Sequence, residues 1–256
     1  MHRTSSRGFT VVELIIVIFV LGILTGLLYG PFTNLYTANT TGVRKTAQFT
    51  NVHSALRIIE SKISESITFA DTNDITDPNQ PDTPWSWAGT SDTSRVLITS
   101  NYATTIEESS DPSNLRTLVF RGPSCDIPVT NDYIYFVANN TLYRRTLVNT
   151  TSPCGGYTNA QKQTCSSSAT DSYCQGVDAK IISNVTEFRV DYYSDANNTT
   201  PMNPTDDTKH TKYDDATVPS MAKSVGITLS AKSGPDNSDP IYTSTLRISR
   251  INGNGN

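Results

Sequence analysis

The chain has 256 residues, with 20 Lys and Arg against 24 Asp and Glu, for a formal charge of −4. That balance argues against a duplex-binding protein, which needs a basic face, and three His with four Cys leave little for a His-based zinc or hydrolase centre. Only 17% of residues are charged although mean hydropathy is −0.35, so the polarity comes from Ser, Thr and Asn, a surface closer to an exported protein than to a charge-rich cytosolic enzyme.

Residues 1–8 hold Arg3 and Arg7 and no acid, and residues 9–29 are apolar with Glu13 as their one charge. A helix over 9–29 spans about 30 Å at ~1.5 Å per residue, the thickness of a bilayer's hydrocarbon core. No basic residue follows until Arg44. Positive charge on the N-terminal side alone predicts a single pass through the cytoplasmic membrane, with a cytoplasmic N-terminus and an extracytoplasmic C-terminal domain. A cleaved secretory signal wants small residues after the apolar run, and Leu27-Leu28-Tyr29-Gly30-Pro31 fits poorly. A plain anchor leaves Glu13 unexplained, because a carboxylate in a membrane helix costs about 2.5–3.5 kcal/mol at mid-helix. A cut after Gly8 explains it. Phe9 then becomes the N-terminus, and Glu13 can neutralise that amine in its own chain or in a neighbouring copy. The first helical turn, with free N–H groups and a positive dipole end, also favours an acid.

The run Arg7-Gly8-Phe9-Thr10-Val11-Val12-Glu13-Leu14 resembles the prepilin peptidase site of type IV pilins and type II secretion pseudopilins. The resemblance implies cleavage after Gly8, N-methylation of Phe9, and assembly roles for Phe9, Thr10 and Glu13. It also implies partners: other pilin or pseudopilin subunits met through the N-terminal helix, prepilin peptidase, and an inner-membrane assembly platform. The processed chain would keep 18 basic against 24 acidic residues. Gly22, Gly26 and Gly30 share one helical face, either as a packing seam or as glycines tolerated in a membrane helix. Pro31 removes a backbone donor and predicts a kink or a locally unwound stretch.

Phe49, Val52, Leu56, Ile59, Ile63 and Ile67 recur at spacings of three and four, the stripe of an amphipathic helix. One helix is therefore expected from 9 to about 69, with an assembly half at 9–30 and an amphipathic half at 31–69. His53 within it reads as a packing or surface residue. Residues 71–94 carry three prolines and many Asp and Asn, and read as a loop. Strand character follows at 95–99, 116–121, 133–138, 141–148, 185–193, 223–231 and 241–251, with Asn139-Asn140 as a tight turn. The expected fold is α+β: a long N-terminal helix packed on a C-terminal antiparallel β domain spanning 70–256. The stretch ending in Leu142-Tyr143-Arg144-Arg145, then Ile182–Tyr193, Val225–Leu229 and Leu246–Asn252, is similar to large minor pilins of the PilW kind and J-type minor pseudopilins. Residues 150–180 and 194–218 read as insertions.

The cysteines are Cys125, Cys154, Cys165 and Cys174, and no Cys-x-x-Cys occurs. An even count in an exported chain predicts disulfides. A hairpin centred on Asn139-Asn140 sets 125 opposite 154, which predicts Cys125–Cys154 and leaves Cys165–Cys174 to close a small loop. The groups Asp71, Asn73, Asp74, Asp77 and Asp195, Asn197, Asp206, Asp207, Asp214, Asp215 lack the EF-hand spacing and read as solvated polar loops rather than calcium sites. No nucleophile–base set, P-loop or dinucleotide motif appears, and His210 stands alone. A structural subunit without cofactor, metal or catalysis of its own is expected. The alternative is an adhesin or DNA-uptake subunit on the same scaffold, presenting Trp85, Trp87, Tyr157 and Tyr173 to a surface or a single strand. The acidic charge argues against strong nucleic-acid binding.

Overall fold

The computed structural model describes residues 10–80, 83–89, 91, 93–107, 116–119, 130–149, 157–159, 161–169, 172–202, 217–234 and 239–250. It divides into two units, 1–47 and 48–256. Helix α1, Val11–Ile63, begins in the first and ends in the second.

Along the first unit the apolar side chains from Val11 to Tyr36 are exposed. The helix is long and apolar enough to cross a membrane. It runs without interruption through Pro31, so the locally unwound stretch expected there is absent. Proline removes one donor only, and the Thr33 hydroxyl donates to the carbonyls of Tyr29 (3.1 Å) and Gly30 (2.9 Å) beside it. Thr25 donates likewise to Leu21 O at 2.7 Å and Thr46 to Gly42 O at 3.0 Å. Back-bonded hydroxyls of this kind hide polarity within a helix.

In the second unit α1 buries Gln48, Val52, Ala55, Leu56, Ile59 and Ile63. The stripe was legible, but its ends differ from expectation. Phe49 is 46% exposed and lies edge-on against Tyr242, with the His53 ring beside both. The helix stops at Ile63 rather than near 69, and Ile67 belongs to a strand. The cause is local. Ser66-Ile67-Thr68-Phe69 is rich in β-branched and aromatic residues, which favour a pleated, half-buried surface over a helical turn.

The strands, in chain order, are β1 (Ser66–Ala70), β2 (Leu97–Tyr102), β3 (Thr104–Glu107), β4 (Arg116–Val119), β5 (Thr130–Ala138), β6 (Thr141–Leu147), β7 (Tyr157–Asn159), β8 (Thr164–Cys165), β9 (Gly176–Val177), β10 (Ala179–Ser183), β11 (Val185–Tyr193), β12 (Ser224–Lys232) and β13 (Ile241–Ser249), with the short helix α2 (Thr217–Met221) before β12. They form a five-stranded antiparallel sheet, β1-β2-β5-β6-β10, and a three-stranded one, β11-β12-β13. Two small sheets accompany them, β4-β3-β7 and the parallel pair β8-β9. The fold is α+β as expected. Sequence patterning missed β1, β3, β10 and the short strands inside 150–180, whose pattern is too brief to stand out.

The two large sheets and the α1 face share one core. Val52, Leu56, Ile59 and Ile63 meet Phe69, Leu97, Tyr135 and Leu142 from the first sheet, and Phe188, Val190, Val225, Ile227 and Leu229 from the second. The opposite face of the five-stranded sheet carries Val96, Ile98, Ile134, Phe136 and Leu147, covered by Ile75 and Trp85 from the 71–88 loop. Tyr133-Ile134-Tyr135-Phe136 is thus buried on both faces, which explains a run without polar alternation. Asn139 and Asn140 both have positive φ, 49° and 55°, and the β5–β6 register runs from Ala138↔Thr141 to Asp132↔Leu147, so the tight turn is as expected. Asn184, φ 58°, is the single residue between β10 and β11, where the chain leaves one sheet for the other.

Candidate functional site

The N-terminal assembly segment is built on a helix start. Gly8 and Phe9, the expected processing and assembly residues, lie outside the described residues. Thr10 and Glu13 lie within them. The Thr10 N–H and Oγ1 donate to Glu13 Oε2 at 2.9 and 3.0 Å, and the Glu13 N–H donates back to Thr10 Oγ1 at 3.3 Å. The Leu14 N–H donates to Thr10 O at 3.2 Å. This is a reciprocal capping box, a hydroxyl residue followed three positions later by Glu, and it satisfies donors that every helix start leaves open. The Thr-x-x-Glu spacing carried that signal in the sequence, where the charge pairing of Glu13 and its fit to a helix start were read but not the Thr10 half of the box. Glu13 thus holds its own helix end through one carboxylate oxygen.

Gly22, Gly26 and Gly30 have nothing within 4 Å of where a Cβ would stand. In the single chain their face is open, as a surface awaiting close helix approach would be.

The acid-rich loop after β1 is a set of structural bonds rather than a solvated loop. Asp77 is buried and accepts from the Trp85 indole N–H at 2.8 Å and from the Asn79 N–H at 2.9 Å. Asn73 Oδ1 accepts from the Trp85 N–H at 2.7 Å, while its Nδ2 donates to Ile75 O at 2.8 Å. The key partner of Asp77 is Arg145, whose Nη1 donates to its Oδ2 at 2.6 Å. Arg145 also forks onto Asp178, with Nε to the two carboxylate oxygens at 3.1 and 3.2 Å and Nη2 to Oδ2 at 2.7 Å. Thr164 Oγ1 donates to Asp178 and accepts from the Thr146 N–H. The guanidinium lies 5.4 Å from the centre of the Trp85 ring and 5.6 Å from that of Phe136. Burial opposes the charge on Arg145, but the bonds to Asp178 and Asp77 outweigh it and raise its pKa. This buried triad clamps the 71–88 loop and the 161–178 segment onto β6. Arg145 was quoted only within a strand motif, and nothing local marks it as buried.

The two Trp offered for the alternative role are not presented to solvent as a platform would need. Trp87 is buried against Tyr192, and Trp85 is half-buried against Phe136. Of the four aromatics proposed, Tyr173 is exposed, and Tyr157 lies in β7. Trp85 is drawn inward to cover the second apolar face of the sheet, and Trp87 joins the main core between the sheets and α1.

Cys165 and Cys174 form the expected disulfide, with Cα atoms 5.6 Å apart. Cys125 and Cys154 lie outside the described residues, as do Asp206, Asp207, His210, Asp214 and Asp215. Asp195 Oδ1 accepts from the Asn197 N–H at 3.1 Å, an ordinary turn bond.

Two further carboxylates are buried by the fold. Asp132 accepts from Ser100 Oγ at 2.7 Å and from the N–H groups of Asp74 and Ile75 at 2.9 and 3.0 Å, tying the loop to β5. Burial raises its pKa in spite of these bonds. Burial raises that of Asp191 as well, against the pull of Arg189, whose Nε lies 3.3 Å away.

Residues 3–29 match the family described as the prokaryotic N-terminal methylation motif. No curated protein and no solved structure matches the chain. The match joins the basic N-terminal residues to the first part of the apolar helix, a segment like those of type IV pilin-like prepilins.

Proposed function

We propose that the chain is a minor pilin or minor pseudopilin, a structural subunit without catalysis of its own. Prepilin peptidase cuts after Gly8, Phe9 is methylated, and an assembly platform in the cytoplasmic membrane builds the subunit into a type IV pilus or a type II secretion pseudopilus. A large extracytoplasmic domain with insertions suits an initiating or tip-near place better than the bulk of a filament. The reading is carried by one observation: the methylation motif over residues 3–29 runs into a helix whose first turn holds Thr10 and Glu13 in a capping box.

The capping box sharpens the assembly mechanism. Glu13 Oε2 is bound to its own Thr10, and the second oxygen remains for a neighbour's Phe9 amine. An amine and a carboxylate neutralised in this way remove the cost of both charges from an apolar bundle. Glu13→Gln keeps an acceptor for Thr10 while discarding the charge; Glu13→Ala discards both. Both variants are expected in the membrane fraction and missing from sheared filaments. A Gln variant that assembles normally would reduce Glu13 to a helix cap. Mass spectrometry of the native chain is expected to find methyl-Phe9 at the N-terminus. Recovery of the intact leader from cells with active peptidase would overturn the reading.

A further inference from the structure

The five-stranded sheet has two edges, and the fold treats them differently. The β1 edge is closed: α2 lies against it, and the Arg250 guanidinium donates to Ile67 O. Among the described residues, no strand pairs with the outer side of β10. β10 pairs with β6 on one side and is the last strand of the sheet. Backbone N–H and C=O groups on such an edge are a template for another strand.

A groove of about 460 Å³ runs beside β10, wholly within the second unit. One wall is the α1 face carrying Gln48, Asn51, Ala55 and Ile58, at helical spacings of three and four; the other is the stretch from Lys180 to Asn184, with Ser233 at the end. Gln48 is only 7% exposed, yet its Nε2 has no hydrogen-bond partner, and Ser233 Oγ is buried and unbonded too. A buried amide donor without an acceptor is costly, so such a group points to something that completes it. The amides of Gln48 and Asn51 present donor and acceptor together, the pair that a peptide backbone offers in return. Lys180 is the one charged side chain among the lining residues. Among the described residues no aromatic ring lines the groove, so these residues offer a sugar face nothing to stack on.

We propose that this groove binds an extended segment of a partner polypeptide, which joins β10 as an added strand, is read across the groove by Gln48 and Asn51, and carries a carboxylate that meets Lys180. Strand addition takes affinity from main-chain bonds and selectivity from the side chains that flank them. The proposal stands on the second unit alone and is independent of the filament reading.

The test uses the full chain in detergent and a phage-displayed library of random dodecapeptides. Enriched sequences are expected to alternate in polarity and to share an Asp or Glu. Made as synthetic peptides, they should bind at least tenfold more weakly to Lys180→Glu, and changing the peptide acid to Lys should restore that loss. N-methylation of one alternate set of peptide amides should weaken binding at least tenfold, while the other set tolerates it. Asn51→Ala, on the exposed helix face, should weaken binding with no change in melting temperature, which separates recognition from folding. The proposal fails if no peptide is enriched. It fails equally if binding ignores Lys180→Glu and N-methylation, or if an oligosaccharide array is bound through the same residues instead.

Discussion

Arg145 shows how far a single residue's role lies from its sequence context. It sits in a strand motif beside Arg144, yet it is buried and answers two carboxylates from distant segments, Asp77 and Asp178. Breaking such a buried group by removing one partner is expensive because it strands the others; an apolar replacement of the whole group is often tolerated. Arg145→Met is therefore expected to destabilise the second unit by about 3–5 kcal/mol, measured by denaturant unfolding. Adding Asp77→Asn and Asp178→Asn to it should recover part of the loss, since the stranded charges are then gone. Glu13 is the opposite case. Its capping partner lies three residues away, so the whole interaction was written locally in Thr10-Val11-Val12-Glu13.

At the scale of elements, local pattern and packing decided different things. The α1 stripe, the Asn139-Asn140 turn and β11 were legible because periodicity and turn chemistry are short-range signals. β11 carries a bulge: the register shifts between Val185 and Glu187, so that Val185 and Phe188, three residues apart, are both buried. The end of α1 and the corner at Asn184 were not legible. A helical stripe and a strand share Ile67, and one left-handed residue inside an apolar run carries little warning. The Cys165–Cys174 bridge constrains the segment that delivers Asp178 to Arg145. For a loop this short the chain-entropy contribution is about 2–3 kcal/mol. Cys165→Ser is expected to lower stability by that amount, and limited proteolysis should then cut first between 161 and 178. Unchanged cleavage there would show that the Arg145 clamp alone holds the segment.

The whole second unit carries a pH signature from its buried acids. Asp132 and Asp191 have folded pKa values raised above the ordinary 3.8, chiefly by burial. A group that binds its proton more tightly in the fold contributes stability that is complete below the unfolded pKa. That contribution is lost as pH rises through the folded value. These two residues therefore favour the fold at mildly acidic pH and weaken it toward neutrality. Asp132→Asn keeps an acceptor for Asp74 and Ile75 while removing the titration. It is expected to flatten the melting-temperature profile just above pH 3.8 and to cost little at pH 7. Asp132→Ala leaves those donors unanswered and should cost about 1–3 kcal/mol. Thermal scans across pH 3.5 to 7 separate the two variants.

The sequence by itself determined the N-terminal segment: an apolar run of membrane length, its flanking charge, the Gly-Phe junction and the Glu offset are all properties of consecutive residues. It also determined the α+β class, because hydrophobic periodicity changes from helical to alternating along the chain. Tertiary structure alone decided that Trp85 and Trp87 turn inward, that Asp77 is buried rather than solvated, and that α2 lies against β1 while β10, among the described residues, pairs on one side only. The physical reason is range. Burial and charge pairing depend on which distant surfaces meet, and a loop rich in Asp and Trp looks the same in sequence whether water or a sheet lies beneath it.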